Sequence, residues 1–408
     1  MNYNELIKLR QKIINNYEDY YANLGFIKKS PLPLDSKDDL TLDFTTCTVC
    51  VAKPFIRKGE INIDYVMRQP AIRNTHLQDL GKIYIRSPYL SYFTMIGGFK
   101  YYRSSDKYEA DFSKVIESEF NFLHQYFNNI ILTIPKQYRK FLPISDITKE
   151  QLANQQCLIK YSTDDMENLK WKYGIRGVQG YGTRWEVVNG TVTNWGNTIN
   201  VYRNGKPFGI DFGGGLETLI CAYKGLPNAI HANDTFIDQI KDLCSSDIIY
   251  EKVLDCIVSS LCIINSKQEI VLRDEYILNQ YLRLIVAYSI VSDIDNEEII
   301  DVTNNIAFSS NSFLSNYDKI TTSFCDRLLD TYTNFYKLVE SEKVDEVVRL
   351  IDLCYNGNNN WTDCDKIIRS NVRKYFTNLS EVELLALRKQ KNILKQEPKV
   401  LKRRNKKW

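Results

Sequence analysis

Apolar residues recur at three- and four-residue steps from Leu6 through Leu9, Ile13, Tyr17, Tyr20 and Leu24, and Gly25 ends the run. That period predicts an amphipathic helix with a glycine stop. Pro31 and Pro33 follow, and Leu40-Thr-Leu-Asp-Phe44 then alternates like a half-buried strand. The stretch 65–81 reads as a strand and a polar loop, and 83–102 as a second arm rich in aromatic residues. A helical period returns from Phe112 to Phe127. From Trp171 to Leu219 the chain is dense in glycine, aromatic and β-branched residues, with alternation over Thr198-Ile-Asn-Val-Tyr202. Asn204-Gly205 is the strongest turn signal in the chain. A short strand, Ile210-Asp-Phe212, leads through Gly213-Gly-Gly215 into a helical pattern, Leu216-Glu-Thr-Leu-Ile220.

Beyond about Asp234 only helical periods remain. Val253, Ile257, Leu261 and Ile264 share one face, as do Ile277, Tyr281, Leu284 and Tyr288, and Val344, Val347, Val348 and Ile351. Ser380-Glu-Val-Glu383 has capping-box spacing ahead of a final short helix. The pattern predicts an α+β fold, an antiparallel sheet with flanking helices followed by an all-α domain. The expected divisions are residues 1–233, 234–387 and a basic tail over 388–408.

Composition bounds what such a chain can be. Its 408 residues suit two or three units, and 44% hydrophobic with 25% charged residues is ordinary globular usage. No apolar run approaches the roughly 20 residues of a membrane helix, and the N-terminal stretch lacks the apolar core of a secretory signal, so a cytoplasmic protein is expected. The net charge is +3. The tail from Arg388 holds ten Lys/Arg and one Glu, an excess of +9, which leaves 3 − 9 = −6 on the rest. A basic tail on a mildly acidic body suits either contact with RNA or a solvated end. Ten cysteines are scattered, mostly in apolar stretches, and read as free thiols. Cys47 and Cys50 make a lone C-x-x-C, with no second pair or nearby histidine to complete a zinc site. Histidine occurs only at 76, 124 and 231, which argues against clustered histidine catalysis.

Three motifs could hold a ligand. Gly213-Gly214-Gly215, between strand and helix, would let backbone approach an anion, although it matches neither a P-loop nor a dinucleotide fingerprint; a tight structural turn is the plainer reading. Trp171-x-x-Gly174-x-x-Gly177-x-x-Gly180 suggests a looped wall beside a small ligand, or a surface loop. Gln69-Pro-Ala-Ile-Arg73, followed by Gln78 and then Tyr92-Phe93, places an arginine near an aromatic arm. A guanidinium grips phosphate or carboxylate bidentately, and a ring can stack on a base.

Taken in order, these pieces resemble the catalytic core of the alanyl-tRNA synthetase family, a class II aminoacyl-tRNA synthetase. Leu9-Arg-Gln-Lys12, Gly25-Phe26, Pro33-Leu34 and Asp38-Asp39-Leu40-Thr41-Leu42-x-Phe44 are similar to its N-terminal helix and first motif. Gln69-x-x-x-Arg73, Leu77-x-x-Leu80-Gly81 and Met95-Ile96-Gly97-x-Phe99 resemble its second. Lys206-Pro207-x-x-x-Asp211-x-Gly213-x-Gly215-Leu216-Glu217 resembles its third. The resemblance covers roughly residues 5–220 and is only loose in the helical half. It implies ATP with Mg2+, a small amino acid and tRNA as ligands. It also implies roles. Arg73 would be the catalytic residue, holding the α-phosphate and the amino-acid carboxylate. Phe93 or Tyr92 would stack on adenine, and Gln78 would join the ATP site. Trp171, with Gly177 and Gly180, would wall the amino-acid pocket, and Asp211 would bind the ammonium. Gly213 and Gly215 would let adenosine lie against the backbone.

The departures are equally specific. Thr218 stands where the family's third motif has arginine, and Tyr92-Phe93-Thr94-Met95 replaces Phe-Phe-Glu-Met. Arg184 replaces a glutamate, and the loop after Arg73 is short, from Asn74 to Gly81. The expectation is a stand-alone paralogue without the editing domain. Two readings stay open. One is an enzyme that makes an acyl-adenylate and passes the acyl group to tRNA, a carrier protein or a biosynthetic amine. The other is a degenerate tRNA-binding or regulatory module.

Overall fold

The computed structural model describes residues 2–35, 44–73, 77–83, 85–87, 89–163, 169–233, 246–266, 272–309, 316–356 and 379–404. The strand expected over 40–44 lies outside them except for Phe44, which is buried. Two compact units form. One comprises Met1–Arg73 with Tyr92–Asp234, the other Asn74–Ser91 with Thr235–Trp408.

The first unit is a mixed sheet, nine-stranded among the described residues, with the order β1-β2-β3-β9-β8-β7-β4-β5 and β6 paired to β7. Its strands are β1 (Ile27–Lys28), β2 (Tyr65–Ile72), β3 (Tyr92–Tyr101), β4 (Asn129–Pro135), β5 (Cys157–Ser162), β6 (Lys170–Lys172), β7 (Val178–Asn189), β8 (Thr191–Arg203) and β9 (Lys206–Gly215). The pairs β1–β2 and β4–β5, near the two edges, are parallel; the pairs between them are antiparallel. This is the α+β sheet the sequence predicts. Asn204 and Gly205, both left-handed at φ +50° and +77°, close the β8–β9 hairpin as the Asn-Gly signal requires.

The glycine run differs from expectation. Gly213-Gly214-Gly215 is the end of a ten-residue strand, not a turn. A Cβ on Gly213 would strike the Ile96 carbonyl and Gly97 of β3, and one on Gly196 of β8 would strike Gly213. Gly213 also takes φ +133°, open only to glycine. The run therefore permits close approach of three strands.

Helix α1 (Tyr3–Asn23) starts with a capping box between Asn2 and Glu5. It buries Leu6, Ile13, Tyr17 and Tyr21 against the sheet core. Fully burying Ile13 contributes about 1.5–3 kcal/mol. α1 also buries a charge, as Arg10 donates to Glu217 (2.8 Å), to the Ala232 carbonyl (2.7 Å) and to Thr94 (3.3 Å). Glu217 opens α6 (Leu216–Lys224) and accepts the Thr94 amide at 2.9 Å. This carboxylate is thus committed to holding α1, α6 and β3 together. On α4 (Tyr108–His124), Glu119 accepts hydroxyl bonds from Tyr17 (2.8 Å) and Tyr21. Burial pushes its carboxyl up to about 7.

Helices α7 (Asp247–Ser266), α8 (Leu272–Ser292), α9 (Asn296–Ser309), α10 (Tyr317–Glu340), α11 (Glu342–Asn356) and α12 (Glu381–Arg404) build the second unit. The 77–91 segment, whose start to Gly81 was expected in the second motif's loop and whose remainder from 83 in a strand arm, is built into it. Buried Lys252 of α7 donates to the carbonyls of Asp79 (2.7 Å), Leu80 (3.4 Å) and Lys82. Tyr288 of α8 donates to Leu80 O, Asp255 accepts the Ser91 amide and hydroxyl, and the Val382 amide donates to Gly81 O. The final helix, expected to be short, is 24 residues long and runs into the basic stretch without a break. Three of the tail's cations have partners: Arg388 with Asp352 (2.6 Å), Lys389 with Asp293 (2.6 Å) and Lys391 with Asp345 (3.5 Å). Among the described residues, no helix is long and apolar enough to cross a membrane.

Candidate functional site

The strands of the first unit wall a cavity of about 300 Å³. β9 contributes Asp211, Gly213 and Gly214, and β3 contributes Phe93 and Met95. Arg73 follows β2, whose last residues pair Ala71 with Phe93 and Ile72 with Tyr92. That register brings the guanidinium over the Phe93 ring, 4.7 Å from its centroid. β6 supplies Trp171, and Tyr173 lies two residues on, the same-side spacing of an extended chain.

Gly180 and Gly182 explain how those two rings fit. A side chain at Gly182 would collide with the Trp171 indole, and one at Gly180 would come within 2.9 Å of the Tyr173 ring. The glycines of β7 are thus space for aromatic rings. Gly180 supports the wall from behind and is not a lining residue. Gly177 sits in an exposed turn against Asn204 and is not a lining residue. Tyr92 and Gly215 also lie outside the lining, which leaves Phe93 as the ring in place. Gln78 belongs to the helical unit, in the short helix α3 (Leu77–Leu80). Among the residues singled out from sequence, the fold brings Arg73, Phe93, Trp171, Asp211 and Gly213 to one cavity.

Asp211 is the electrostatic centre. Its side chain is 5% exposed and accepts the Tyr173 hydroxyl at 3.1 Å. Burial pushes its carboxyl up to about 7, opposed by the Tyr173 bond and by Lys53, and assisted by Cys50. A carboxyl in this position is half protonated near neutrality and gains most from a cation delivered into the cavity.

Lys53, Tyr173 and Trp195 escape a sequence reading. Lys53 sits in an apolar stretch at the start of α2 (Lys53–Lys58) and is buried at the cavity. No local pattern marks it. Tyr173 could have been found from its two-residue spacing to Trp171. Trp195 of β8 lines the cavity, and its indole N–H has no hydrogen-bond partner among the described residues. The cavity therefore offers three cationic groups, Lys53, Arg73 and Lys172, with one buried carboxyl and a spare donor. Thr218, on the first turn of α6, and Arg184, on β7, are not lining residues. Among the described residues, no group of three or more His, Cys, Asp or Glu is placed to hold a metal ion.

No family model matches the chain. No curated protein is similar to it. Among solved structures, ligand-free S. aureus histidyl-tRNA synthetase is similar at 12% identity and a TM-score of 0.34. The match covers 52% of this chain and 65% of that synthetase, so the chain spans less than two thirds of its length. Likeness at this level has no weight for function.

Proposed function

We propose that the sheet unit binds a small amino acid, or a related carboxylic acid, together with ATP and joins them as an acyl-adenylate. The observation that supports this best is the charge pattern of the cavity. A buried carboxyl faces the same space as an arginine and a buried lysine. An amino acid is the small molecule that presents an ammonium and a carboxylate together, and the carboxylate becomes the acyl group joined to phosphate. Asp211 takes the ammonium. Arg73 bridges the carboxylate and the α-phosphate, offering the bidentate geometry that suits both. Trp171 and Tyr173 limit the size of the side chain, and Phe93 offers a face to adenine. Catalysis is then positioning and charge stabilisation, with no protein nucleophile. Mg2+ supplies charge neutralisation on the ATP phosphates; Glu217, the carboxylate of the third motif, is already committed to Arg10, and no residue here is assigned to the metal.

The acceptor of the acyl group in this reading is tRNA, a carrier protein or a biosynthetic amine. A second reading, a module that binds without reacting, is favoured by Thr218 and by Arg73 lying on the Phe93 face that adenine would use. ATP–pyrophosphate exchange across an amino-acid panel separates the two. Exchange with one small amino acid supports the enzyme. Silence with all of them, with no AMP released when tRNA is present, rejects it.

A further inference from the structure

The C-x-x-C pair has no part in adenylate chemistry, yet it is not inert filler. Cys47 precedes a short 3-10 helix, Thr48–Val51, and Cys50 lies three residues on. Cys47 is the extended residue that caps this turn, and the turn brings Cys50 back beside it. Their sulfurs are 3.9 Å apart, within sulfur hydrogen-bond range. Cys47 is half-buried and lines the cavity; Cys50 is buried behind it. The pair is thus reached from solvent only by something small that can enter the cavity. Contact with Cys47, the Thr46 amide and Lys53 lower the Cys50 thiol to about 6, while the contact with Cys50 and burial push the Cys47 thiol well up. A zinc site is not the explanation, because no third ligand of the right type is placed with them among the described residues.

We propose that Cys47 and Cys50 form an oxidisable dithiol on the cavity wall, which a small hydroperoxide converts to an intramolecular disulfide. The Cys50 thiolate attacks one peroxide oxygen, the O–O bond breaks, and Cys50 becomes a sulfenic acid as hydroxide or alkoxide leaves and takes a proton from solvent water. Cys47 then attacks the Cys50 sulfur. The S–S bond forms, the S–O bond breaks, and the hydroxide departs as water with the Cys47 proton. Two thiols lose two electrons and the peroxide gains them. Cys47 opens the pair to the cavity, through which hydrogen peroxide reaches the Cys50 sulfur 3.9 Å behind it.

The test is peptide mapping of the full-length wild-type protein after timed exposure to hydrogen peroxide, with iodoacetamide trapping of remaining thiols. Cys325, half-buried with its thiol pushed up, is the internal reference. The 47–50 pair should lose alkylation at least about tenfold faster than Cys325, as one crosslinked peptide that dithiothreitol reopens. In Cys47→Ser the reaction should stop at a Cys50 sulfenic acid that dimedone labels. Alkylation of both residues persisting while Cys325 is oxidised, or a wild-type Cys50 that passes to higher oxides without crosslinking, overturns the proposal.

Discussion

Both units bury charged side chains that their own chain satisfies, and the sheet unit buries one more that it does not. In the helical unit Lys252 meets three backbone carbonyls, and Asp255 accepts an amide and a hydroxyl from Ser91. Every such bond fastens the 77–91 segment to α7. In the sheet unit Asp211 is as deeply buried but has a single direct donor, Tyr173, and faces a cavity. A buried charge that its own chain satisfies is structural. One that is left short of donors beside a cavity costs stability until something else supplies them. That contrast, more than any motif, separates scaffold from site here.

The largest effect expected is on chemistry. Arg73→Lys should lower pyrophosphate exchange by about 10²–10³-fold, because a point charge cannot bridge carboxylate and phosphate. A rate near wild type removes Arg73 from the site. Next is Lys252→Met, which leaves buried carbonyls of Asp79, Leu80 and Lys82 without their donor. Denaturant titration should show a loss of about 2–4 kcal/mol, with the sheet unit's cavity chemistry untouched. An unchanged midpoint would place Lys252 among spare charges and blur the contrast.

A smaller, pH-dependent effect belongs to the sheet unit. Asp211 and Glu119 both titrate near 7 when folded, against ordinary values of 3.8 and 4.5. The folded state therefore holds protons that the unfolded chain has released. The stability from these protonated carboxyls is complete below about pH 4 and is lost as pH rises through 7. Wild-type Tm should fall between pH 5 and pH 8, and Asp211→Asn should make the fall shallower. A steeper fall in the variant contradicts the assignment. Smallest is the tail. Arg388, Lys389 and Lys391 are already paired, and exposed pairs of this kind contribute about 0–1 kcal/mol each. Their substitution by alanine should leave the salt dependence of RNA binding unchanged. Neutralising Lys402, Arg403 and Arg404 together should reduce the slope by about 2 on single strands. Equal slopes in all variants would leave the tail without an RNA role.

The hairpin at Asn204-Gly205 and α1 were legible in the sequence because their signals are local, a turn dipeptide and a helical period. The cavity was legible in part. Arg73, Phe93, Trp171 and Asp211 stand out by type and spacing, and the fold joins them. Lys53 did not, since a buried cation in an apolar stretch looks like any surface lysine. The glycines were legible as close-approach positions, but not what approaches them: the Tyr173 ring at Gly180, and the backbone of β3 at Gly213, which also lines the cavity. The destination of 77–91 was also hidden, because it depends on partners more than 160 residues away, such as Lys252 and Tyr288.

The central claim is that Asp211 awaits an ammonium. Calorimetric titration with two non-hydrolysable adenylate analogues tests it, one with a small aminoacyl group and one with the same acyl group lacking the amine. The aminoacyl analogue should bind wild type more tightly as pH rises through 7, and Asp211→Asn should weaken it at least about tenfold while leaving the deaminated analogue unchanged. Equal affinity of wild type for the two analogues, or equal weakening of both by the variant, would contradict the account.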